Sequence, residues 1–362
     1  MLSVLKEWYE RHFSDPQVII LALMLIGSAI ALFLFGNILA PVLVALILAY
    51  LLEGIVSPIV KLGIPRNWAV TIVMLVFLVL FWGLAIGLIP VLSRQVSQLI
   101  ADMPSMISKG QGLLLLLPEM YPAIFTEEQI QNLFIYARRE VGEWGQAVLT
   151  YSVANVINVF TLIVYAVLIP LMIFFGLKDK QKIFVWVRRF MPSRRALIIK
   201  VWREVDDNIA NYIRGKIIEI MIVWIVTYVT FALMGLNFSL LLSFLVGISV
   251  IIPFIGAITV TIPIALIAFF QWGLTAQFGY LLLAYQVIQI LDGNVLVPVL
   301  FSEVVNIHPL AIIIAVVFFG GIWGIWGVFF AIPLATVVQA ILNTWPKIQQ
   351  DSEGPVTQGN GQ

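Results

Sequence analysis

Between Ile220 and Pro346 the chain carries no Lys or Arg and only two carboxylates, Asp292 and Glu303. So long a stretch without charge has no polar face to offer water. Over the full 362 residues, 62% are hydrophobic and 11% are charged, against about 25% charged in a soluble domain. In lipid every backbone N–H and C=O must be satisfied within the protein, so spanning segments of this kind are helices. The chain therefore reads as an all-α polytopic membrane protein.

A bilayer core of about 30 Å takes about 20 mostly apolar residues as helix. Apolar runs of that order fall at Val18–Phe35, Ile38–Ile59, Trp68–Leu92, Val153–Leu177, Ile217–Leu236, Phe238–Gln271, Tyr280–Val299 and Pro309–Trp345. They predict about eight transmembrane helices, the first two separated by a turn at Gly36-Asn37. The expected organisation is an amphipathic cytoplasmic N-terminus (1–17), three transmembrane helices (18–92), an extracytoplasmic helical insert (93–152) and a fourth span (153–177). A basic cytoplasmic helical segment (178–216), a C-terminal transport region (217–345) and a disordered cytoplasmic tail (346–362) follow. The first apolar run is too long for the core of a cleavable signal, so the first span is expected to stay.

Charge orients the spans. Lys178–Glu219 holds eleven basic and five acidic residues, whereas Arg94–Glu143 holds four basic and six acidic. Basic residues collect in cytoplasmic loops, which puts the first segment inside, the second outside and both termini in the cytoplasm. The short loop with Lys61 and Arg66 then lies inside as well. In Lys200–Gly215 one helical face carries Val201, Val205, Ile209 and Tyr212; in Arg94–Pro104 a similar stripe is Val96, Leu99, Ile100 and Met103. The basic stretch Arg188–Arg195 sets topology or holds anionic lipid headgroups.

Two of the long runs are interrupted. One, near 247–263, contains Gly247, Pro253, Gly256 and Pro263; the other, near 318–333, contains Gly320, Gly321, Gly324, Gly327 and Pro333. Pro removes a backbone donor and Gly permits tight bends. A break at membrane depth must be buried in protein or line a wet cavity, and paired broken segments point to a transporter's substrate site. Both segments either cross in two pieces or re-enter. Close helix packing and tolerated kinks are the alternative use of the same residues.

A third interruption, Gln289–Leu310, places Asp292, Asn294, Glu303 and His308 in apolar surroundings. A mid-bilayer carboxylate costs several kcal/mol and marks function by default. Gln286, Gln289 and Asp292 form a polar stripe at helical spacing, and Asp292-Gly293-Asn294 followed by Pro298 reads as a helix break. Three roles stand open: a substrate or ion path, satisfaction of backbone donors freed by neighbouring breaks, or solvation at the interface. Glu303 and His308 are secondary candidates that fit a loop better.

Other chemistry finds no residues. There is no Cys and only His12 and His308, so no metal site is expected. No GxxxxGK[ST] loop or HExxH motif occurs, so ATP coupling in this chain and intramembrane metalloprotease chemistry are not expected. The expectation is a non-enzyme without cofactor, whose partners are membrane lipid, a small solute or a monovalent cation, and no nucleic acid.

The motifs FGLKDKQKIFVWVRRFMP, NYIRGK (Asn211–Lys216), IIPFIGAI (Ile251–Ile258), LDGNVLVPVLFSEVVNIHPL and GVFFAIPLA (Gly327–Ala335) resemble, in order, the autoinducer-2 exporter family of bacterial membrane proteins. WYERHFSDP (Trp8–Pro16) is similar to the start of its PerM-type permeases. The resemblance covers Trp8 to Trp345. It implies an inner-membrane protein of about eight spans, a homo-oligomer, and an elevator-like or otherwise alternating transport domain. Characterised relatives export autoinducer-2, and others are sodium or lithium/proton antiporters. Pro253, Gly256, Asp292, Gly293, Asn294, Pro298, His308 and Pro309 match family motif positions; the Ser302-Glu303 pair departs from the Gly common there. Three functions follow as expectations: a solute exporter, a cation/proton antiporter, and a scaffold that binds envelope partners through Arg94–Glu143.

Overall fold

A computed structural model describes residues 16–115, 126, 128–129, 131–132, 134–136, 139–140, 142–143, 156–189, 196–253, 255–301 and 308–344. The terminal segments, most of the insert beyond residue 115, most of Arg188–Arg195, and Glu303 lie outside them. The described helices are α1 (Pro16–Lys61), α2 (Arg66–Leu114), α3 (Val156–Lys178), α4 (Lys180–Arg188), α5 (Ala196–Leu233), α6 (Ser239–Ser249), α7 (Ile255–Trp272) and α8 (Ala276–Leu291). A π-helical turn, Asp292–Leu296, joins α8 to α9 (Val297–Phe301), and α10 (Pro309–Trp323) and α11 (Ile325–Thr344) follow. Among the described residues no strand occurs. Five helical stretches are long and apolar enough to cross a membrane: Ile38–Lys61, Arg66–Gly112, Ile209–Leu233, Ile255–Trp272 and Ala276–Phe301. Four shorter apolar helices accompany them.

One expected boundary is corrected. Val18–Phe35 and Ile38–Ile59 are one continuous helix, α1, and Gly36-Asn37 makes no turn. Helix α5 runs unbroken from Ala196 to Leu233, joining the basic segment to the fifth span. An unpaired backbone group in an apolar setting costs several kcal/mol, whereas Gly inside a helix costs about 1 kcal/mol. Continuity wins.

Packing divides the chain into two units, Ala40–Ile183 with Ala210–Asn306, and Met1–Leu39 with Phe184–Ile209 and Ile307–Gln362. In the first unit, one core joins α1, α2 and α3. Ala45, Ala49, Leu52 and Val56 of α1 recur at helical spacing and meet Val70, Val73 and Met74 of α2 and Ile173 and Leu177 of α3. The small residues let the backbones approach, the usual device for helices in lipid. A polar latch closes one end. Arg66 Nη2 and Nη1 donate to Glu53 at 2.8 and 3.2 Å, Arg66 Nη2 also caps the Leu177 carbonyl at 2.7 Å, and Lys180 Nζ reaches Glu53 at 3.3 Å. The Lys61–Arg66 loop and the start of the basic segment thus share one end, as the charge pattern requires.

The second core of this unit joins α5 to α8 through Val223, Phe231, Leu242, Ile264, Leu281 and Tyr285. The stripe Leu99, Ile100 and Met103 on α2 is half-buried, and Leu99 packs on this core. Helix α6 has 11 residues and, at 1.5 Å per residue, reaches about 16 Å, roughly half a bilayer core. Its N-terminus is capped by Gln95 of α2, whose Oε1 accepts from Leu241 N at 2.8 Å. After the turn at 250–253, which contains Pro253, α7 packs back against α6 so tightly that a Cβ on Gly256 would overlap the Ser249 carbonyl.

In the second unit the interrupted run 318–333 is also a helical hairpin. Helices α10 and α11 meet at Gly324, whose φ of 60° and ψ of −135° suit glycine. A Cβ on Gly327 would overlap the Phe319 carbonyl, and one on Gly320 would stand 2.8 Å from Val328. Gly321 has open space beside it and takes no part. His308 caps α10, its Nδ1 accepting from Leu310 N at 3.2 Å. That is a structural role.

Candidate functional site

Helix α5 lies antiparallel to α8 and α9. The rings of Phe231 and Tyr285 stand 6.2 Å apart near one end, and those of Tyr212 and Phe301 stand 5.5 Å apart near the other. Gly215 permits the second contact, since a Cβ there would stand 2.8 Å from the Phe301 ring. The buried stripe of α5 reads Tyr212, Lys216, Glu219, Val223, Thr227 and Phe231, a 3.6-residue period with an ion pair inside it. Lys216 Nζ and Glu219 Oε2 are 2.8 Å apart, with side chains 10% and 1% exposed. Lys216 Nζ also stands 5.6 Å from the Phe301 ring centroid, a cation–π contact.

Facing this pair, the buried stripe of α8 runs Leu281, Tyr285, Ile288 and ends at the half-buried Asp292. The register set by the Phe231–Tyr285 and Tyr212–Phe301 contacts places Asp292 beside the turn from Glu219 to Val223. Asp292 Oδ1 is buried and has no hydrogen-bond partner, as are Gln289 Nε2 on α8 and Trp224 Nε1 and Thr227 Oγ1 on α5. Buried polar atoms are nearly always paired, so four orphans on two neighbouring helices are unusual, though Trp224 packs on Phe244 and Gly247 of α6 and not on α8.

The helix break expected at Asp292-Gly293-Asn294 is absent. The chain stays helical through Phe301, widened into a π turn in which Val297 N donates to Asp292 O. Pro298 has no N–H, and its ring would crowd the carbonyl of Asn294 in a regular α turn. One extra residue in the turn relieves that crowding, and such single π turns concentrate at functional sites. Asn294 uses its amide on the Ile290 carbonyl, at 2.9 Å. Gly293 meets open space and has no left-handed φ, so it serves no close approach.

The predicted residues therefore separate. Asp292 and Gln289 reach the seam, whereas Gln286 is exposed and Asn294 satisfies backbone. Asp292 does not serve as a partner for freed backbone donors through Oδ1, which removes that role for this atom. Lys216 and Glu219 were not singled out from the sequence. Composition assigns them to the basic loop, although their helical register with Tyr212 and Val223 places them on the buried face. Among the described residues no group of three metal-ligating side chains occurs.

The sequence model of the family described as AI-2E family transporter matches residues 18–347. The chain belongs to the AI-2E transporter family. Escherichia coli (strain K12) has a relative named as a candidate permease, PerM, 46% identical over 346 residues, which covers 96% of this chain and 98% of that protein. A Bacillus subtilis (strain 168) protein named as a candidate transport protein, YueF, is 26% identical over 305 residues, 80% of each chain. A candidate transport protein of Thermotoga maritima is 26% identical over 219 residues, 60% of this chain and 61% of that one. Within this AI-2E family member, the α5–α8 seam and both helical hairpins fall inside the matched residues.

Proposed function

We propose that the chain is a secondary transporter that exports a small hydrophilic solute across the bacterial inner membrane, driven by the proton gradient. The observation that carries this reading is the α5–α8 seam, where Asp292 Oδ1, Gln289 Nε2 and Thr227 Oγ1 are buried without a protein partner beside a buried ion pair. Between two membrane-length helices, such groups give a hydrophilic solute and its water the hydrogen bonds that lipid denies. The α6–α7 hairpin of the same unit supports it. Helix α6 reaches about half the bilayer, which fits a re-entrant segment of the kind that surrounds transporter sites.

Solute flux in reconstituted vesicles tests it, with a panel of small polar solutes and an imposed proton gradient. An autoinducer-2-like compound heads the panel, because the family description carries that name. At least one solute is expected to move with the gradient, and Asp292→Asn is expected to lower that flux tenfold or more, a loss of about 1.4 kcal/mol in barrier terms. Proton movement driven by sodium or lithium, with no solute flux, would replace this reading with the antiporter.

A further inference from the structure

Where α5 meets α1, a Cβ on Gly54 would stand 3.1 Å from Arg214 Nη2 and 3.2 Å from both its Cζ and its Nε. Three atoms of one plane at nearly one distance mean that Gly54 meets the face of the guanidinium. The glycine makes room for it. The edges of the guanidinium, which carry its N–H donors, stay clear of that contact. Arg214 is exposed, and among the described residues its donors have no hydrogen-bond or ion-pair partner.

Nor is a carboxylate left for it at this end of the unit. Glu53, beside Gly54 in the chain, is taken by Arg66 and Lys180. Asp179 is held by Lys182 and Glu219 by Lys216, each at 2.8 Å. Lys61 and Lys178, which close α1 and α3 here, likewise have no ion-pair partner among the described residues. The surplus positive charge therefore needs a counter-charge from outside the chain. Depth decides its source. Arg66 caps the Leu177 carbonyl at the last turn of α3, so the ends of spanning helices gather at this level. That is where lipid headgroups begin, and where arginine side chains reach for them.

We infer that Arg214 binds the phosphate of an anionic phospholipid headgroup, with Gly54 fixing the guanidinium plane and its edge donating two parallel hydrogen bonds. A guanidinium fork matches phosphate geometry, whereas an ammonium offers only a point charge. The surplus charge of the same end selects a headgroup with net negative charge over a zwitterionic one. The site is independent of which solute the chain carries.

Thermal unfolding of the detergent-purified chain is followed as phosphatidylglycerol, phosphatidylcholine or inorganic phosphate is added. Phosphatidylglycerol is expected to raise Tm saturably, and the other two are not. Arg214→Gln is expected to move the midpoint of that titration about tenfold higher, because a charge-assisted bidentate contact is lost. Arg214→Lys keeps the charge but not the fork, and is also expected to weaken the response. Lys61→Gln removes one charge from the same end and is expected to change the midpoint far less. No phosphatidylglycerol response in the unaltered chain, or an unchanged midpoint in either Arg214 variant, overturns the proposal. An equal shift in Lys61→Gln overturns it too, since net charge alone would then account for binding. A response to inorganic phosphate as strong as that to phosphatidylglycerol makes the ligand a soluble anion and overturns the lipid. Arg214 is exposed, so both substitutions leave the core intact, and either one suffices if the other is not recovered folded.

Discussion

Replacing Lys216 with Met is expected to cost about 3–5 kcal/mol of stability, because it leaves Glu219 as an uncompensated charge in the α5 seam. Glu219 is 1% exposed and bonded to Lys216 at 2.8 Å, so water cannot take over the ammonium's role. Removing both charges gives a different result. Lys216→Met with Glu219→Leu is expected to recover most of the loss, since apolar replacements of a buried pair are often neutral or stabilising. The coupling between the two sites, read from a double-mutant cycle of unfolding in detergent, should therefore be large, on the order of 3 kcal/mol. A single-variant loss below about 1 kcal/mol would mean that the pair is solvated, as surface pairs are. If the uncharged double variant folds and fails to transport, the pair is retained for function and not for stability.

The next largest effect belongs to the α10–α11 hairpin. Gly327→Ala is expected to destabilise that hairpin by about 3 kcal/mol or more, because the added Cβ overlaps the Phe319 carbonyl and backbone cannot yield as a flexible side chain does. Gly321→Ala, six residues earlier in the same glycine-rich run, supplies the contrast. Its Cβ meets open space, so the change should be neutral or stabilising by up to about 1 kcal/mol through helix propensity. Limited proteolysis and thermal unfolding of the two variants, side by side, measure the difference. Equal behaviour would remove the close approach of α10 and α11.

These two results mark what the sequence could and could not disclose. The Gly/Pro interruptions near 247–263 and 318–333 were legible because a bend between apolar helices needs specific residue types, and both proved to be hairpins. Gly36-Asn37 and Asp292-Gly293-Asn294 look like breaks by the same residue types, yet both remain helical. In an apolar environment an opened backbone has no water to bond, so the helix persists unless packing supplies a second partner, as α7 does for α6. At Asp292 the conflict with Pro298 is resolved by a wider turn instead of a break. The ion pair was hidden for another reason. A charge count assigns Lys216 and Glu219 to a cytoplasmic segment, whereas only the helical register with Tyr212, Val223 and Phe231 shows them facing inward. Counting residues locates spans; phase along the helix locates sites.

The central claim is that the seam between α5 and the π turn is a polar path within the membrane. The chain has no Cys, so a single introduced thiol reports without background. Gly293 adjoins Asp292 and has open space at its Cβ, which makes Gly293→Cys a tolerated probe. Leu283→Cys, at a position of α8 where the leucine is 63% exposed, serves as the lipid-side control. In inside-out and right-side-out vesicles, a membrane-impermeant maleimide should label Gly293→Cys and spare Leu283→Cys, and an imposed proton gradient should change the labelling rate. Labelling of neither thiol by that reagent, with both labelled by a membrane-permeant one, would contradict a polar path at this site.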